Sequence, residues 1–585
     1  MFENLSFDEE SDILDKLKTG SFIESSSPAN FTIRDSFFKM HHREMEDFDV
    51  FKFEDSELCA PNDEITQYIS FIDNTVTFND VQNGVFNNFY MSYTGSNQRY
   101  KEILVQDNLF YNMIGSVKVF IQIKNPSPGI ITVEDNTIQN CSSATSLLTL
   151  QAQDEIKIKN VKFDTIEAFT KGLISTSDSK LVTISNIEIT NITHTSNLLA
   201  DSLIKIGTQD LGRCVFEYSY LHDNNVKANV IEFESSVGSV EFSHNTFLDD
   251  VIQSFNNYIK FENLYELLMT NCSFSGVTED GSNDRLTLLF NINNLNLAEE
   301  GSYIFRDLTL YNISLSVFTL SNIVGTTETP KLFEFNDIMF TDSTFNTRNN
   351  LITFGPLITD QDIQISMKYL TFRDIYMYKT GNLIQFSIQM PNPIIIDSCI
   401  FENNFGALIN LVTTSTAEGI SPVNVQMTNV TVSNCDFMFS TFFVLRAYST
   451  LTVTNCTMRR NSAYFRGVIA SILGSDSSAT FTDCNFNNNN GILGGLFYVS
   501  RISYIEVINS NIFSNFAVTA SMAYVGNQGK IIIDSCDISR NQVISVGLLE
   551  IVDSIAENEF SNNNVYSNEI ILATTTIREL DNPII

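Results

Sequence analysis

A chain of 585 residues with 69 acidic against 34 basic side chains carries a formal charge of −35. That balance excludes nucleic acid as the expected partner, because phosphate binding needs a basic face; it permits calcium or a basic partner without requiring either. No apolar run approaches the ~20 residues of a membrane span, so no transmembrane segment is expected within this sequence.

In chain order, residues 1–28 are acidic and Ser-rich with no matching strand pattern, which predicts a disordered lead or a loose cap. The opening stretch Met1–Glu10 has neither the basic n-region nor the apolar core of a signal peptide. From residue 29 a small pattern returns again and again. Phe31-Thr-Ile33-Arg-Asp35, Ile103-Leu-Val105, Ile131-Thr-Val133, Ile156-Lys-Ile158-Lys-Asn160 and Val182-Thr-Ile184-Ser-Asn186 each place two apolar residues around a single outward one. This is strand alternation rather than helical spacing. Val240-Glu-Phe242-Ser-His244-Asn245-Thr-Phe247 and Leu267-Leu-Met269-Thr-Asn271-Cys272-Ser-Phe274 add a bend and a further apolar residue. Tyr303-Ile-Phe305-Arg-Asp307 and Phe333-Glu-Phe335-Asn-Asp337 keep the first half, and Ile394-Ile-Ile396-Asp-Ser398-Cys399-Ile-Phe401-Glu-Asn-Asn404 is a full copy.

The pattern is sharpest near the C-terminus. Leu451-Thr-Val453-Thr-Asn455-Cys456-Thr-Met458 ends at Asn461, and Ala479-Thr-Phe481-Thr-Asp483-Cys484-Asn-Phe486 ends at Asn489. Ile505-Glu-Val507-Ile-Asn509-Ser510-Asn-Ile512 ends at Asn515, Ile531-Ile-Ile533-Asp-Ser535-Cys536-Asp-Ile538 ends at Asn541, and a last copy ends at Asn568. The steps between these asparagines are 28, 26, 26 and 27 residues. A fixed period of this size means stacked structural units. Two or three short strands per period, often resumed after glycine as at Gly467, Gly494 and Gly547, make one coil of a parallel β-helix. The predicted fold is therefore all-β: a single right-handed parallel β-helix solenoid of about nineteen coils over 29–578, clearest over 390–570. One coil buries ~6 apolar side chains at ~1.5–3 kcal/mol each, whereas ordering ~26 residues costs ~1–2 kcal/mol apiece, so a lone coil cannot fold. Residues 579–585 follow with no polar cap; an uncapped end is expected there, with the chain continuing or being a fragment, and with end-to-end association as a consequence.

Asparagine tolerates left-handed backbone angles and suits a corner. Stacked at roughly 4.8 Å, Asn404, Asn461, Asn489, Asn515, Asn541 and Asn568 are expected to bond as a ladder. Five of the nine cysteines, Cys272, Cys399, Cys456, Cys484 and Cys536, share one coil position. They read as a buried thiol stack. Only Cys456 and Cys484 fall on consecutive coils, where the expected Cα separation also fits a disulfide. No Cys-x-x-Cys or Cys/His cluster supports zinc. The 47 phenylalanines read as inward stacks, and the absence of tryptophan weighs against glycan processing. Eight Asn-x-Ser/Thr sequons, at Asn4, Asn30, Asn140, Asn191, Asn271, Asn312, Asn429 and Asn455, point outside the cell, several at corners from which a glycan could project.

Phe401-Glu-Asn-Asn404, Phe486-Asn-Asn-Asn489, Phe513-Ser-Asn515, Gly494-Gly495-Leu-Phe and Gly406-Ala-Leu-Ile resemble the repeats of polymorphic outer membrane proteins. They are equally similar to the pectin-lyase-like right-handed β-helix regions of large ciliate and protist surface proteins. The resemblance is clearest over 390–570 and implies an extracellular stalk or adhesion surface. The same fold hosts polysaccharide lyases and glycoside hydrolases. Pectin-cleaving hydrolases of this shape carry Asn-x-Asp, Asp-Asp, Gly-His-Gly and Arg-x-Lys; here only Asp249-Asp250, beside His244 and Asn245, is tempting. Neighbours on a strand face opposite ways, so catalysis by Asp249 and Asp250 is disfavoured and a solvated corner is expected. His41 and His42 with Glu44, the Asp360/Asp362 pair, and His194, His222 and His244 are further weak candidates for metal or proton chemistry. No cofactor is expected. The reading is a non-enzymatic extracellular or cell-surface protein with a protein or glycan ligand, acting in adhesion or as a spacer. A polysaccharide lyase or hydrolase is the first alternative, and a cytoplasmic scaffold the second.

Overall fold

The computed structural model describes residues 31–40, 67–78, 100–112, 129–143, 146–168, 172–194, 202–253, 257–262, 264–280, 301–320, 331–345, 350–358, 363–377, 381–406, 420–437, 441–552 and 557–571, with shorter strand segments before and between them. The chain divides into two compact units, Met1–Leu295 and Asn296–Ile585. Each is an all-β parallel solenoid of the right-handed type, with no helix among the described residues. About fourteen turns are laid out there rather than the nineteen expected.

In the second unit a complete coil has four strand segments, where the sequence suggested two or three. Lys530–Asp534, Asp537–Ser539, Gln542–Ser545 and Leu549–Val552 follow one another around the coil. Each pairs in parallel with its counterpart one coil earlier: Tyr504–Ile508, Asn511–Phe513, Phe516–Thr519 and Ala523–Gly526. The alternation read from the sequence is the register itself. Leu451, Ala479, Ile505 and Ile531 stack in one column, and Val453, Phe481, Val507 and Ile533 in the next. All eight are at most 1% exposed.

The fainter repeats of the first unit obey the same rule. Ile156, Val182, Cys214, Val240 and Leu267 are register partners in turn, as are Ile158, Ile184, Phe216, Phe242 and Met269. Pairing reaches further towards the N-terminus than the sequence pattern suggested: Phe2–Glu3 pairs with Phe31–Arg34, Ser6–Asp8 with Phe37–Met40, and Thr19–Ser25 with Asp47–Glu54. Phenylalanines do stack inward, for example Phe247 on Phe274 at 4.6 Å and, in the second unit, Phe340 on Phe372 at 4.7 Å.

Two bends separate the first three strands of a coil, and both are built alike. The first bend puts Asn455, Asp483, Asn509 and Ser535 at φ between 46° and 56°; the second puts Arg460, Asn488, Ser514, Arg540 and Ser567 at 55° or 56°. The following residue turns inward. The expectation that the ladder asparagines adopt the left-handed angles is thus corrected: the residue before each does so, and the asparagine occupies the buried position after it. There its amide satisfies backbone groups that the bend removes from the strand ladders.

Asn489 donates from its backbone N and from Nδ2 to Oδ1 of Asn515, at 3.0 Å each, and Asn515 does the same to Asn541. Asn461 joins above through Asn489 and Asn568 below through Asn541. Each Nδ2 also bonds a carbonyl of the preceding coil, as Asn515 does to Phe486 at 2.9 Å. Asn404 is not part of this run. Cys435 takes the position between it and Asn461 and offers no Oδ1 to the Asn404 donors, while Asn404 Oδ1 accepts from the Ile375 amide of the preceding coil at 3.1 Å. A second ladder that the sequence did not reveal runs through Asn74, Asn108 and Asn136 at the first bend.

Asn515→Ala orphans the buried Asn489 amide, a loss of about 1–3 kcal/mol for that group alone. The urea transition of the variant should fall clearly, and Asn568→Ala, at a half-buried position, should lower it less. Equal midpoints for Asn515→Ala and wild type would refute the ladder's contribution.

Candidate functional site

The one acid pair singled out by sequence is split by the second bend of its coil. Asp249 has φ 53° and is exposed, whereas Asp250 takes the inward position and is 1% exposed. The solvated corner expected for both therefore holds for Asp249 only. Asp250 occupies a ladder position: its Oδ1 accepts from Asn224 N and Nδ2, each at 2.9 Å, and its Oδ2 accepts from the Tyr258 hydroxyl. Tyr258 is fully buried and meets Phe247 edge-on at 5.4 Å. Burial pushes the Asp250 carboxyl up to about 6, although the bonds from Tyr258 and Asn224 pull the other way. One carboxylate points to water and the other into the core, so the two cannot flank a glycosidic bond.

The histidines occupy three separate columns. His194 is buried at the end of strand Glu188–His194, in register with Val226. His222 is in register with Thr190 and Leu248, and its Nδ1 lies 2.8 Å from Asp223 Oδ2. His244 stands at a first bend and stacks on Tyr218 at 4.7 Å. Asn245, beside it, is buried and accepts from the Ser219 amide at 2.9 Å. His41, His42, Glu44, Asp360 and Asp362 lie outside the described residues, as do Asn4, Asn30 and residues 579–585. Among the described residues no group of three or more His, Cys, Asp or Glu could hold a metal ion.

The five aligned cysteines share the inward position of the first bend. In Cys272, Cys399, Cys456, Cys484 and Cys536 the thiol donates to the carbonyl two residues earlier, at 3.3 Å in every case. All are buried free thiols, and burial pushes Cys272 and Cys399 up to about 12 and Cys536 up to about 11. Such thiols are inert towards solvent nucleophile chemistry.

All six described sequon asparagines are bend residues. Asn140, Asn191, Asn271, Asn312, Asn429 and Asn455 have φ between 51° and 56°, and all are exposed. None of the buried ladder asparagines begins a sequon. Alternation explains the division. Two residues after the bend comes an outward strand position, often Ser or Thr; two residues after a ladder asparagine comes an inward apolar one.

Two surface features escaped the sequence reading. Lys205, Glu232 and Lys260 form an outward column of alternating charge on successive strands. Glu232 is only 6% exposed and accepts from Lys260 at 3.0 Å and from Ser202. Burial pulls the Lys260 ammonium down, but Glu262 and Glu232 outweigh it and hold it above the usual lysine range. Its signal was present as one charged residue after each of Ile204, Ile231 and Ile259. In the second unit Tyr464 and Phe465, 54% and 62% exposed, precede Arg466, whose guanidinium lies 4.8 Å over the Tyr498 ring. Tyr498 in turn stacks on Tyr524 at 5.1 Å.

No family model matches the chain, and no curated relative matches its sequence. What the structure shows is a parallel β-solenoid architecture.

The folded Asp250 carboxyl, near 6 against an ordinary 3.8, binds its proton more tightly than the unfolded one. Its contribution is therefore full below about pH 4 and is lost as pH rises through about 6, on the order of 3 kcal/mol in all. Asp250→Asn should remove that slope and raise the urea midpoint at pH 7.5; an unchanged slope between pH 4.5 and 7.5 would overturn this assignment.

Proposed function

We propose that this chain is a non-enzymatic extracellular or cell-surface β-solenoid that serves in adhesion or as a structural spacer and carries N-linked glycans at its bends. The observation that carries the reading is the placement of the six described sequons. Each asparagine is an exposed bend residue with its amide outside the core, so a glycan can be attached without disturbing the ladders. Asn140, Asn429 and Asn455 spend their Nδ2 donors on neighbouring outward side chains, at 2.6, 3.0 and 2.7 Å, and a glycosylated amide keeps one N–H for the same bond. The acidic, self-repelling surface fits a solvated extracellular body. The turn bearing Tyr464, Phe465 and Arg466 offers aromatic faces of the kind that anchor protein or glycan ligands. Catalysis at Asp249 and Asp250 has no support from their geometry.

Two measurements test the reading. In protein from its native source, peptide N-glycanase release in heavy-oxygen water should label one or more of Asn140, Asn191, Asn271, Asn312, Asn429 and Asn455. Full absence of label would favour the cytoplasmic scaffold. Incubation with acidic and neutral polysaccharides in the presence of calcium should yield neither new reducing ends nor unsaturated products; release of either would establish an enzyme.

A further inference from the structure

We propose that Cys456 and Cys484 form a disulfide staple between two successive coils, made as those coils stack in an oxidising compartment. The inward first-bend position holds Cys399, Val430, Cys456, Cys484, Ser510 and Cys536 in consecutive coils, so this is the one place in the run where two sulfurs are neighbours. The flanking register fixes their step. Thr454 pairs with Thr482 before the bend, and Thr457 with Asn485 after it. One strand spacing is about 4.8 Å, inside the Cα range that a disulfide spans.

The two thiols already touch. Cys484 hydrogen-bonds Cys456, which holds the Cys456 thiol below its ordinary range and pushes the Cys484 thiol up. The Val430 amide adds a donor to Cys456 Sγ at 3.3 Å. In the stacked coils Cys456 is thus the sulfur better able to carry negative charge; before stacking these contacts are absent and either thiol can start the exchange, Cys456 for instance. Its thiolate attacks a sulfur of a disulfide oxidant such as glutathione disulfide, and one glutathione thiolate leaves. Cys484 then loses its proton and attacks Cys456 Sγ, displacing the second glutathione thiolate. Two protein thiols are oxidised, one oxidant disulfide is reduced, and two protons pass to the leaving thiolates.

Both cysteines are 1% exposed, so glutathione cannot reach them in the closed coils. The exchange must precede docking of the coil that begins at Ser478–Thr482 onto the one that begins at Ser449–Thr454. Once made, the bond forbids a slip of register between them.

The proposal rests on the extracellular reading for the source of its oxidant, and the test separates the two. The full chain is refolded from urea in a glutathione redox buffer, alkylated, digested without reduction and mapped by mass spectrometry. A Cys456–Cys484 linked peptide pair is expected, absent in Cys484→Ser, with a urea transition above that of the reduced chain. Should refolding stall, expression in an oxidising host compartment followed by the same mapping replaces it. Alkylated Cys456 and Cys484 in the folded product, or Cys456 linked to Cys435, would overturn the pairing. A link formed in the redox buffer but free thiols in protein from its native source would overturn the oxidising compartment, and with it the native staple.

Discussion

Each coil turns through two bends at which the strand ladders are broken, and the backbone groups released there face the core. An unpaired amide in that setting costs on the order of 1–3 kcal/mol, and the cost recurs at every coil. The side chain that turns inward after the left-handed residue is the one placed to meet it. Asparagine does so fully: Oδ1 accepts the amide of the previous coil, and Nδ2 returns a bond to a carbonyl there, as in Asn489 and Asn515. Stacking follows from this need, because the partner of each amide is the same residue type one coil on.

Other residues occupy the same position with different consequences. Cysteine is small: its thiol donates to the carbonyl two residues back, at 3.3 Å in Cys456 and Cys484, and keeps the core closed without the paired amide bonds of an asparagine. Cys435 does this between Asn404 and Asn461, dividing what the sequence presents as one ladder. Asp250 keeps the acceptor half of an asparagine's bonding at the cost of a buried charge, and Tyr258 supplies the compensating hydroxyl. Local polarity at one recurring position thus controls both the continuity of a ladder and the pH response of its coil.

The outward member of each bend has the complementary freedom. Its side chain meets water, so Asn, Asp, Ser, Tyr and Arg all serve there, as Asn455, Asp483, Ser535, Tyr218 and Arg540 illustrate. Glycan attachment, surface charge and ligand contact can vary at these positions without touching the core. A repeating frame of this kind separates the stability of the core from the chemistry of the surface.

Much of this was legible in the sequence, since the strand columns follow from two apolar residues flanking one polar residue at a fixed period. Leu451, Ala479, Ile505 and Ile531 stack as alignment required, and the five aligned cysteines share one position. Alternation is a local property, set by the pleat, and local patterns survive in one dimension. The bend was not legible in the same way. Which of two adjacent polar residues takes the left-handed angles, and which turns inward, depends on where the next coil lies. That is why Asp249 and Asp250 looked alike in the chain and differ in the fold, and why Asn74, Asn108 and Asn136 went unnoticed as a ladder. The sequence by itself determined period, strand alternation and the inventory of polar corners. Only the tertiary structure decided which corner residues are buried and bonded across coils, because burial and cross-coil bonds exist only once the coils are stacked.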